Sequence, residues 1–157
     1  MKFESAPDIQ ERVNEIIRLL ELKHIRAENI VCMRSHKSKA KAYARIWSLP
    51  RIWQKALGVE AHYILEVLSH YFDGRNKDDQ DRTLIHELMH VPKTFSGALV
   101  PHKCFEKRID ARSVEVFFKK LRVQTEQIGD KSIDNSAGKI DKNIGDVRKI
   151  GIGVYDE

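Results

Sequence analysis

The chain has 157 residues, of which 41% are hydrophobic and 32% are charged, a balance that excludes a disordered or fibrous protein and predicts one folded domain. No apolar run approaches the roughly 20 residues that cross a bilayer, and residues 1–5 have no signal-peptide core. The net charge is +5, and there are only two cysteines, Cys32 and Cys104. So few cysteines predict reduced thiols and a cytoplasmic protein, and we expect no association with a membrane.

The first predicted element is a helix that begins at Ser5. Ser5 precedes an acidic residue, Asp8, by three positions, which is the spacing of a capping box. The residues that follow repeat with a helical period and form one apolar stripe: Ile9, Val13, Ile16, Ile17 and Leu20. We expect this helix to pack on a sheet.

Strands are predicted after this helix. Residues 29–35 are short and apolar, and residues 43–49 alternate with period two until Pro50 interrupts them. Residues 52–57 fit a strand or a helical turn equally well. Residues 61–72 read as a strand, although their periodicity also allows a helix.

The next predicted helix contains the most informative pattern in the chain, His86-Glu87-Leu88-Met89-His90, which has the form HExxH. Residues 76–81 give this helix an acidic, cap-like start, and Pro92 ends it. Residues four apart lie on one face of a helix, so both imidazoles point to one place and Glu87 flanks it. The pattern predicts a zinc site with a general base for hydrolysis. A partly buried helix with two structural histidines that bind no metal would show the same sequence pattern.

A catalytic zinc site needs a third protein ligand besides two histidines. His102 is the leading candidate, because Gly97 and Pro101 allow the loop 91–101 to return over the helix. Some zinc peptidases take a carboxylate from a later element, so three alternatives stay open: Glu106, Asp110 and Glu115. The last of these lies on a predicted helix and can instead hold a ligand histidine in place.

A final helix is predicted from about Asp110 to Gln124, with apolar residues along it. Beyond residue 126 the composition changes to a polar stretch punctuated by glycines. We therefore predict a domain at residues 1–126 and a polar, glycine-containing tail at residues 127–157 that is flexible or loosely packed.

Residues 43–105, with HELMHVPKTFSGALVPH at their centre, resemble the small zincin-like metallopeptidases of archaea and phages and, more distantly, the SprT-type zinc proteases. In those families a histidine in a short H-x-x-F or H-G-x-x-F segment supplies the third ligand, and residues 101–105 match that form. The zinc ligands that the resemblance implies are His86, His90 and His102. It also implies that Glu87 activates water. The metzincin pattern, which places its third histidine much closer to the helix, does not match.

The same resemblance implies an α+β, zincin-like fold. In that fold an N-terminal helix packs on a small, mainly antiparallel sheet, and the active-site helix with the HExxH motif follows the sheet. An edge strand precedes the active-site helix there and pairs with extended substrate. Residues 61–72 hold that position in this chain, which favours a strand over a helix.

Together these features predict a zinc metallopeptidase, a hydrolase that acts on a peptide or an unfolded protein with Zn²⁺ as its cofactor. The sequence does not choose among five candidate oxyanion stabilisers: Tyr63, Tyr71, His62, His70 and Lys93. The alternative function is a non-catalytic, zinc-stabilised module that binds nucleic acid. Its support is the stretch from Arg34 to Lys55, which is basic, lacks acidic residues and contains two tryptophans. A sheet with one solvated face has the same pattern.

Overall fold

A computed structural model describes residues 1–105 and 107–137, with side chains through Asp130. Within these residues a four-stranded sheet, a β-hairpin and five α-helices form an α+β fold. The strands of the sheet are β1 (Lys2–Ser5), β2 (Ile30–His36), β3 (Ala44–Ser48) and β4 (Tyr63–Leu68). The hairpin strands are β5 (Lys103–Cys104) and β6 (Lys107–Arg108). The helices are α1 (Pro7–Leu19), α2 (Arg51–Leu57), α3 (Ser69–Phe72), α4 (Lys77–Met89) and α5 (Ala111–Ala137).

The sheet is mixed, with the strand order β1-β2-β4-β3. Both outer pairs are antiparallel, whereas the central strands β2 and β4 run parallel, with Ile30 opposite Tyr63. Parallel neighbours need a long crossover connection, which contains β3 and α2 here. The apolar pattern of a strand does not reveal its direction, so the sequence did not distinguish a mixed sheet from a mainly antiparallel one.

The apolar stripe of α1 is buried as predicted, whereas its predicted cap is wrong. Val13 and Ile16 are completely buried in the core. Ser5, the expected cap, belongs instead to β1, where it lies opposite Met33. The helix begins with Pro7, and no side chain caps it. Proline suits a first turn because the N–H groups of that turn have no partner inside the helix.

The prediction of one long edge strand at residues 61–72 is wrong. β4 ends at Leu68, and residues 69–72 form the short helix α3. β4 lies between β2 and β3, and all its residues except Ile64 are buried. A nearly continuous apolar run is typical of a strand that is covered on both faces. The edge strand beside α4 is therefore β3.

Helix α4 is fixed in position at its start and along one flank. At its start, the Asn76 side chain accepts a hydrogen bond from the backbone N–H of Asp79 (2.9 Å), as the predicted cap requires. On its flank, the buried Asp81 accepts two hydrogen bonds from the Arg12 guanidinium of α1, at 2.8 and 2.6 Å. A bidentate pair fixes orientation as well as distance. The buried apolar residues of α4 are Leu84, Ile85 and Leu88.

Helix α5 is longer than predicted, because it continues beyond Gln124 to Ala137. Its buried residues Val114, Phe118 and Leu121 belong to the core. Residues 138–157 of the predicted tail lie outside the described residues, and the domain boundary at residue 126 stays a prediction. None of the described helices combines the length and the apolar character needed to cross a membrane.

Candidate metal centre and its cleft

Three histidine side chains meet at one point beside the end of α4. The Nε2 atoms of His86 and His90 lie 3.3 Å apart, and those of His86 and His102 lie 3.1 Å apart. One potential ligand atom from each of the three histidines lies within 4.8 Å of those from the other two. The structure therefore brings together the three histidines that the sequence singled out.

The loop 91–101 returns over the end of α4 and delivers His102 to this point. Its turn is fixed by the buried Tyr63, whose hydroxyl accepts a hydrogen bond from the Gly97 N–H (2.9 Å). Gly97 has a φ of 85°, and a Cβ atom there would come within 2.6 Å of the Leu49 carbonyl oxygen. Only glycine fits this conformation and this space, which agrees with the turning role predicted for Gly97.

Two of the three histidines, His86 and His90, are held in the neutral form. His90 Nδ1 donates a hydrogen bond to the Val100 carbonyl (2.6 Å), which leaves its Nε2 without a proton on the side of the other two rings. Burial lowers the pKa of His90. Burial, together with the neighbouring His90 and His102, lowers the pKa of His86 to about 4. At pH 7 the nitrogen lone pairs of these two residues are therefore available to a cation.

The spacing of the nitrogen atoms fits a transition-metal ion. A tetrahedral zinc ion with Zn–N distances of ~2.0–2.1 Å holds its nitrogen ligands roughly 3.3 Å apart. Two of the three separations here are 3.1 and 3.3 Å, and the third is within 4.8 Å. Unprotonated nitrogens at such a distance repel each other unless a cation or a proton lies between them. Three imidazole ligands suit zinc and its neighbours among the divalent metals.

Glu87 lies in the same cleft and is only 9% exposed. Burial raises the pKa of its carboxyl to about 7, and a hydrogen bond from the backbone N–H of Ile46 in β3 partly opposes this rise. Among the described residues, no lysine or arginine stabilises its charge. A carboxyl group with such a pKa can accept and release a proton near neutral pH.

The carboxylates left open as third ligands have other partners where the structure describes them. Asp110 accepts hydrogen bonds from two backbone N–H groups at the start of α5, at 3.0 Å each. Glu115 accepts a 2.9 Å hydrogen bond from Arg82. Neither belongs to the histidine group, and Glu106 lies outside the described residues. Both cysteines are free thiols as predicted, and Cys104 is not part of the group either.

The histidines and Glu87 open into a cleft of about 1180 Å³. β3 and the residues just before it form one wall, and α4 forms the opposite wall. The segment 99–102 and the first turns of α5 complete the lining. The cleft is large enough for several residues of a polypeptide chain.

None of the five side chains proposed as oxyanion stabilisers lines this cleft. These side chains are Tyr63, Tyr71, His62, His70 and Lys93. His62 precedes β4, and His70 lies in α3. The tyrosine that does line the cleft is Tyr43, whose ring lies 4.0 Å from the Arg75 guanidinium carbon. The sequence did not single out this residue, because it is only the first position of the alternating stretch 43–49.

A second group of side chains along the cleft wall also escaped the sequence analysis. Glu66 in β4 is only 1% exposed, and it accepts hydrogen bonds from Arg45 Nη2 (3.0 Å) and Trp47 Nε1 (2.7 Å). Both donors lie on β3 and line the cleft. Period-two alternation places Arg45 and Trp47 on one face of β3, but only the pairing of β3 with β4 brings Glu66 opposite Arg45.

The basic stretch from Arg34 to Lys55 does not form one continuous surface. Arg34 pairs with Asp8 (2.9 Å) and Arg45 pairs with Glu66 (3.0 Å). Within this stretch, the exposed basic residues for which the structure describes no ion pair lie at opposite ends of β3. They are Lys37, Lys39 and Lys41 before the strand, and Arg51 and Lys55 on α2. This division gives the predicted nucleic-acid surface no support.

A comparison with known protein families finds one whose model, described as "putative phage metallopeptidase", matches residues 1–122. The matched segment includes every residue that lines the cleft. The chain matches no curated protein and no solved structure. The resemblance to the phage metallopeptidases is confirmed, whereas the more distant likeness to SprT-type proteases stays a prediction.

Proposed function

The chain belongs to the phage metallopeptidase family, and we propose that it hydrolyses peptide bonds as a zinc-dependent enzyme. In this proposal the zinc ligands are His86, His90 and His102, and the general base is Glu87. The observation that carries the proposal is the meeting of three imidazole nitrogens in the same open cleft as a buried carboxyl group. A site that only stabilises a fold needs neither the cleft nor the base.

When bound at the three histidines, zinc supplies Lewis-acid chemistry, since it lowers the pKa of a water molecule towards ~7 and polarises a carbonyl group. The protein prepares the site by keeping two of the ligands, His86 and His90, neutral. The pKa values of His86 and His90 are both lowered, and the Val100 carbonyl selects the His90 tautomer whose Nε2 is free. Neither of these histidines has to lose a proton at pH 7 before it binds a metal.

Glu87 is placed to move the proton. We expect its carboxylate to take a proton from the attacking water and to deliver that proton to the nitrogen of the leaving amine. The hydrogen bond from the Ile46 N–H orients the carboxylate towards β3. Its pKa of about 7 belongs to the metal-free site, and a cation nearby lowers it, so that the base is ionised at neutral pH.

The edge of the sheet indicates the class of substrate. β3 bonds to its neighbour through alternate residues: the Leu49 N–H donates to the His62 carbonyl (3.0 Å), and the Leu68 N–H donates to the Tyr43 carbonyl (2.9 Å). The intervening residues of an antiparallel edge strand direct their N–H and C=O groups away from the sheet. Ala44 is one of them, on the cleft side. An extended peptide or an unfolded chain can pair with such an edge.

The alternative, a non-catalytic zinc module, has less support. A structural zinc site is usually closed by four protein ligands, and the group in the described residues has three. The basic residues of the predicted nucleic-acid surface are divided into two separate groups. We therefore retain the peptidase as the proposed function.

Zinc binding and cleavage of an unstructured protein such as casein test this proposal. The parent protein should bind about one zinc ion, lose cleavage in a chelator and regain it with added Zn²⁺. His102→Ala should weaken zinc binding at least about tenfold. Glu115→Gln, which changes a carboxylate of the same cleft outside the histidine group, should leave zinc affinity unchanged. Cleavage that survives chelation, or unchanged zinc affinity in His102→Ala, would contradict the proposal.

A further inference from the structure

Helix α2 is a short element that buries almost none of its own surface. Of its seven residues, Arg51–Leu57, only Gln54 is half-buried, and the other six are exposed. Gln54 attaches the helix to the body of the protein, because its amide donates hydrogen bonds to the carbonyls of Leu49 (2.8 Å) and Ser96 (3.2 Å). The side of α2 that contains Gln54 therefore faces the protein.

The helical period places the apolar residues of α2 away from that side. Successive residues of a helix are about 100° apart, so Ile52 and Ala56, two positions before and after Gln54, point outwards. Trp53 and Leu57 lie together on one flank. Their exposure agrees with this placement, since Ile52 is 76%, Trp53 56% and Leu57 60% exposed. We call these four residues, Ile52, Trp53, Ala56 and Leu57, the apolar face of α2.

The apolar face of α2 needs a partner to stabilise the helix. Isolated helices of seven residues are not stable in water, and most helices in proteins are stabilised by packing an apolar face against other elements. In α2 that face is exposed instead. Contiguous exposed apolar surfaces mark sites where a protein binds another protein or a membrane. The helix is therefore a binding surface.

The opposite flank of α2 is basic. It consists of Arg51 and Lys55, which are exposed, and the structure describes no ion pair for either. Glu60, the nearest acidic residue in the sequence, is paired with Arg26 (2.7 Å). Two copies of the chain packed through this helix would bring like charges together, which costs free energy. The charge therefore disfavours a second copy and favours an anionic partner.

The shape of α2 indicates which anionic partner it fits. The apolar face of α2 is convex, and a protein that binds such a helix must offer a groove shaped to it. A bilayer needs no groove, because apolar side chains enter the boundary between head groups and acyl chains while Lys and Arg stay at the anionic head groups. Tryptophan is enriched at this boundary, since its ring is apolar and its N–H is polar.

We propose that α2 docks the protein on the surface of an anionic lipid bilayer. Ile52, Trp53 and Leu57 enter the head-group boundary, and Arg51 and Lys55 contact the lipid phosphates. The protein lies on the membrane and does not cross it. This inference goes beyond the proposed peptidase and does not depend on it. It departs from the sequence-based expectation of no membrane association, because an apolar face of seven residues is far shorter than the roughly 20 residues of a span.

Vesicle binding by the full chain tests the proposal. The probes are vesicles of phosphatidylcholine alone and vesicles of phosphatidylcholine mixed with phosphatidylserine. The protein should sediment with the mixed vesicles and bind the neutral ones at least about tenfold more weakly. In a Trp47→Phe protein, Trp53 is the sole tryptophan. Its emission should shift to shorter wavelength with the mixed vesicles, because the ring leaves water.

Two variants test the two sides of the helix. Ile52→Asp should weaken binding to the mixed vesicles at least about tenfold, because it replaces an apolar side chain with a charge. Val116→Asp is the matched control, since Val116 is 68% exposed on α5, and it should bind like the parent. Lys55→Gln should weaken binding about fivefold, and added salt should do the same. Zinc affinity equal to that of the parent shows that each variant is folded.

Three results would overturn the membrane surface as the partner. The first is no binding to the mixed vesicles, or equal binding to both kinds of vesicle. The second is equal binding by Ile52→Asp and Val116→Asp. The third is a dimer in lipid-free sedimentation that Ile52→Asp dissociates, because the apolar face of α2 would then bind a second copy of the chain.

Discussion

At the scale of single residues, two glutamates are buried in or beside the cleft, and their surroundings differ in charge. Glu87 is 9% exposed without a described cation beside it, and burial raises its pKa to about 7. Glu66 is 1% exposed. Burial alone would raise the pKa of Glu66, but hydrogen bonds from Arg45 and Trp47 hold it below its usual range. Replacing each by glutamine should therefore change stability in opposite directions.

Glu87→Gln should stabilise the metal-free protein at pH 8, by on the order of 2–3 kcal/mol. Above a folded-state pKa of about 7, the carboxylate is ionised in both states, and the folded state bears the full cost of burying the charge. As the pH falls from 7 towards the ordinary value of 4.5, the folded state is protonated first, so this cost disappears. Urea unfolding of both chelator-treated proteins at pH 8 and pH 4.5 measures the difference. A variant less stable than the parent at pH 8 would show that burial is not the cause.

Glu66→Gln should destabilise the protein at pH 7 by about 1–3 kcal/mol, because it leaves Arg45 without its counter-charge. Glu60→Gln is the matched control, since Glu60 pairs with Arg26 (2.7 Å) on the surface, where such pairs contribute less than about 1 kcal/mol. Urea unfolding at pH 7 compares the two variants. Equal effects would mean that the group formed by Glu66, Arg45 and Trp47, the Glu66 cluster, does not stabilise the wall of the cleft.

At the scale of elements, the loop 91–101 decides whether the third histidine reaches the other two. Gly97→Ala should weaken zinc binding at least about tenfold, because a Cβ atom would meet the Leu49 carbonyl and the positive φ is unfavourable for alanine. Gly58→Ala is the control, since Gly58 also has a positive φ (64°) but no atom within 4 Å of the added Cβ. It should lower stability by about 1 kcal/mol and leave zinc affinity unchanged. Zinc titration and urea unfolding separate the two effects, and equal zinc affinities would contradict a role for the loop.

At the scale of elements, the features that the sequence predicted correctly are those that depend on local spacing. The four-residue interval from His86 to His90, the Asn76 cap and the turn at Gly97 are all local features, and the structure has each of them. The order of the strands depends on pairing between distant segments, so the edge strand was assigned to residues 61–72 instead of β3.

The Glu66 cluster was missed for the same reason. Glu66 meets Arg45 and Trp47 only because β3 and β4 pair in one particular register. Nothing in the stretch 61–72 distinguishes this glutamate from one on a solvated face. The register between two strands is set by the whole sheet and its packing, so the sequence of one strand does not reveal it.

At the scale of the whole molecule, the cleft is built by parts of the chain that are distant in sequence. Its lining extends from Ala42 to Glu115, and the family match at residues 1–122 covers all of it. Helix α1 contributes no lining residue, but its Arg12 holds α4 through Asp81. The sheet, α4 and the loop 91–101 therefore act as one scaffold for the histidines and Glu87.

The most direct test of the account is the rate at which zinc-loaded parent and zinc-loaded Glu87→Gln cleave an unstructured protein, with the zinc content determined on the same samples. The account predicts about one zinc ion in each protein and cleavage at least about 100-fold slower in the variant, because a general base typically contributes that much or more. Equal cleavage by both proteins, or a parent that cleaves without binding zinc, would contradict it.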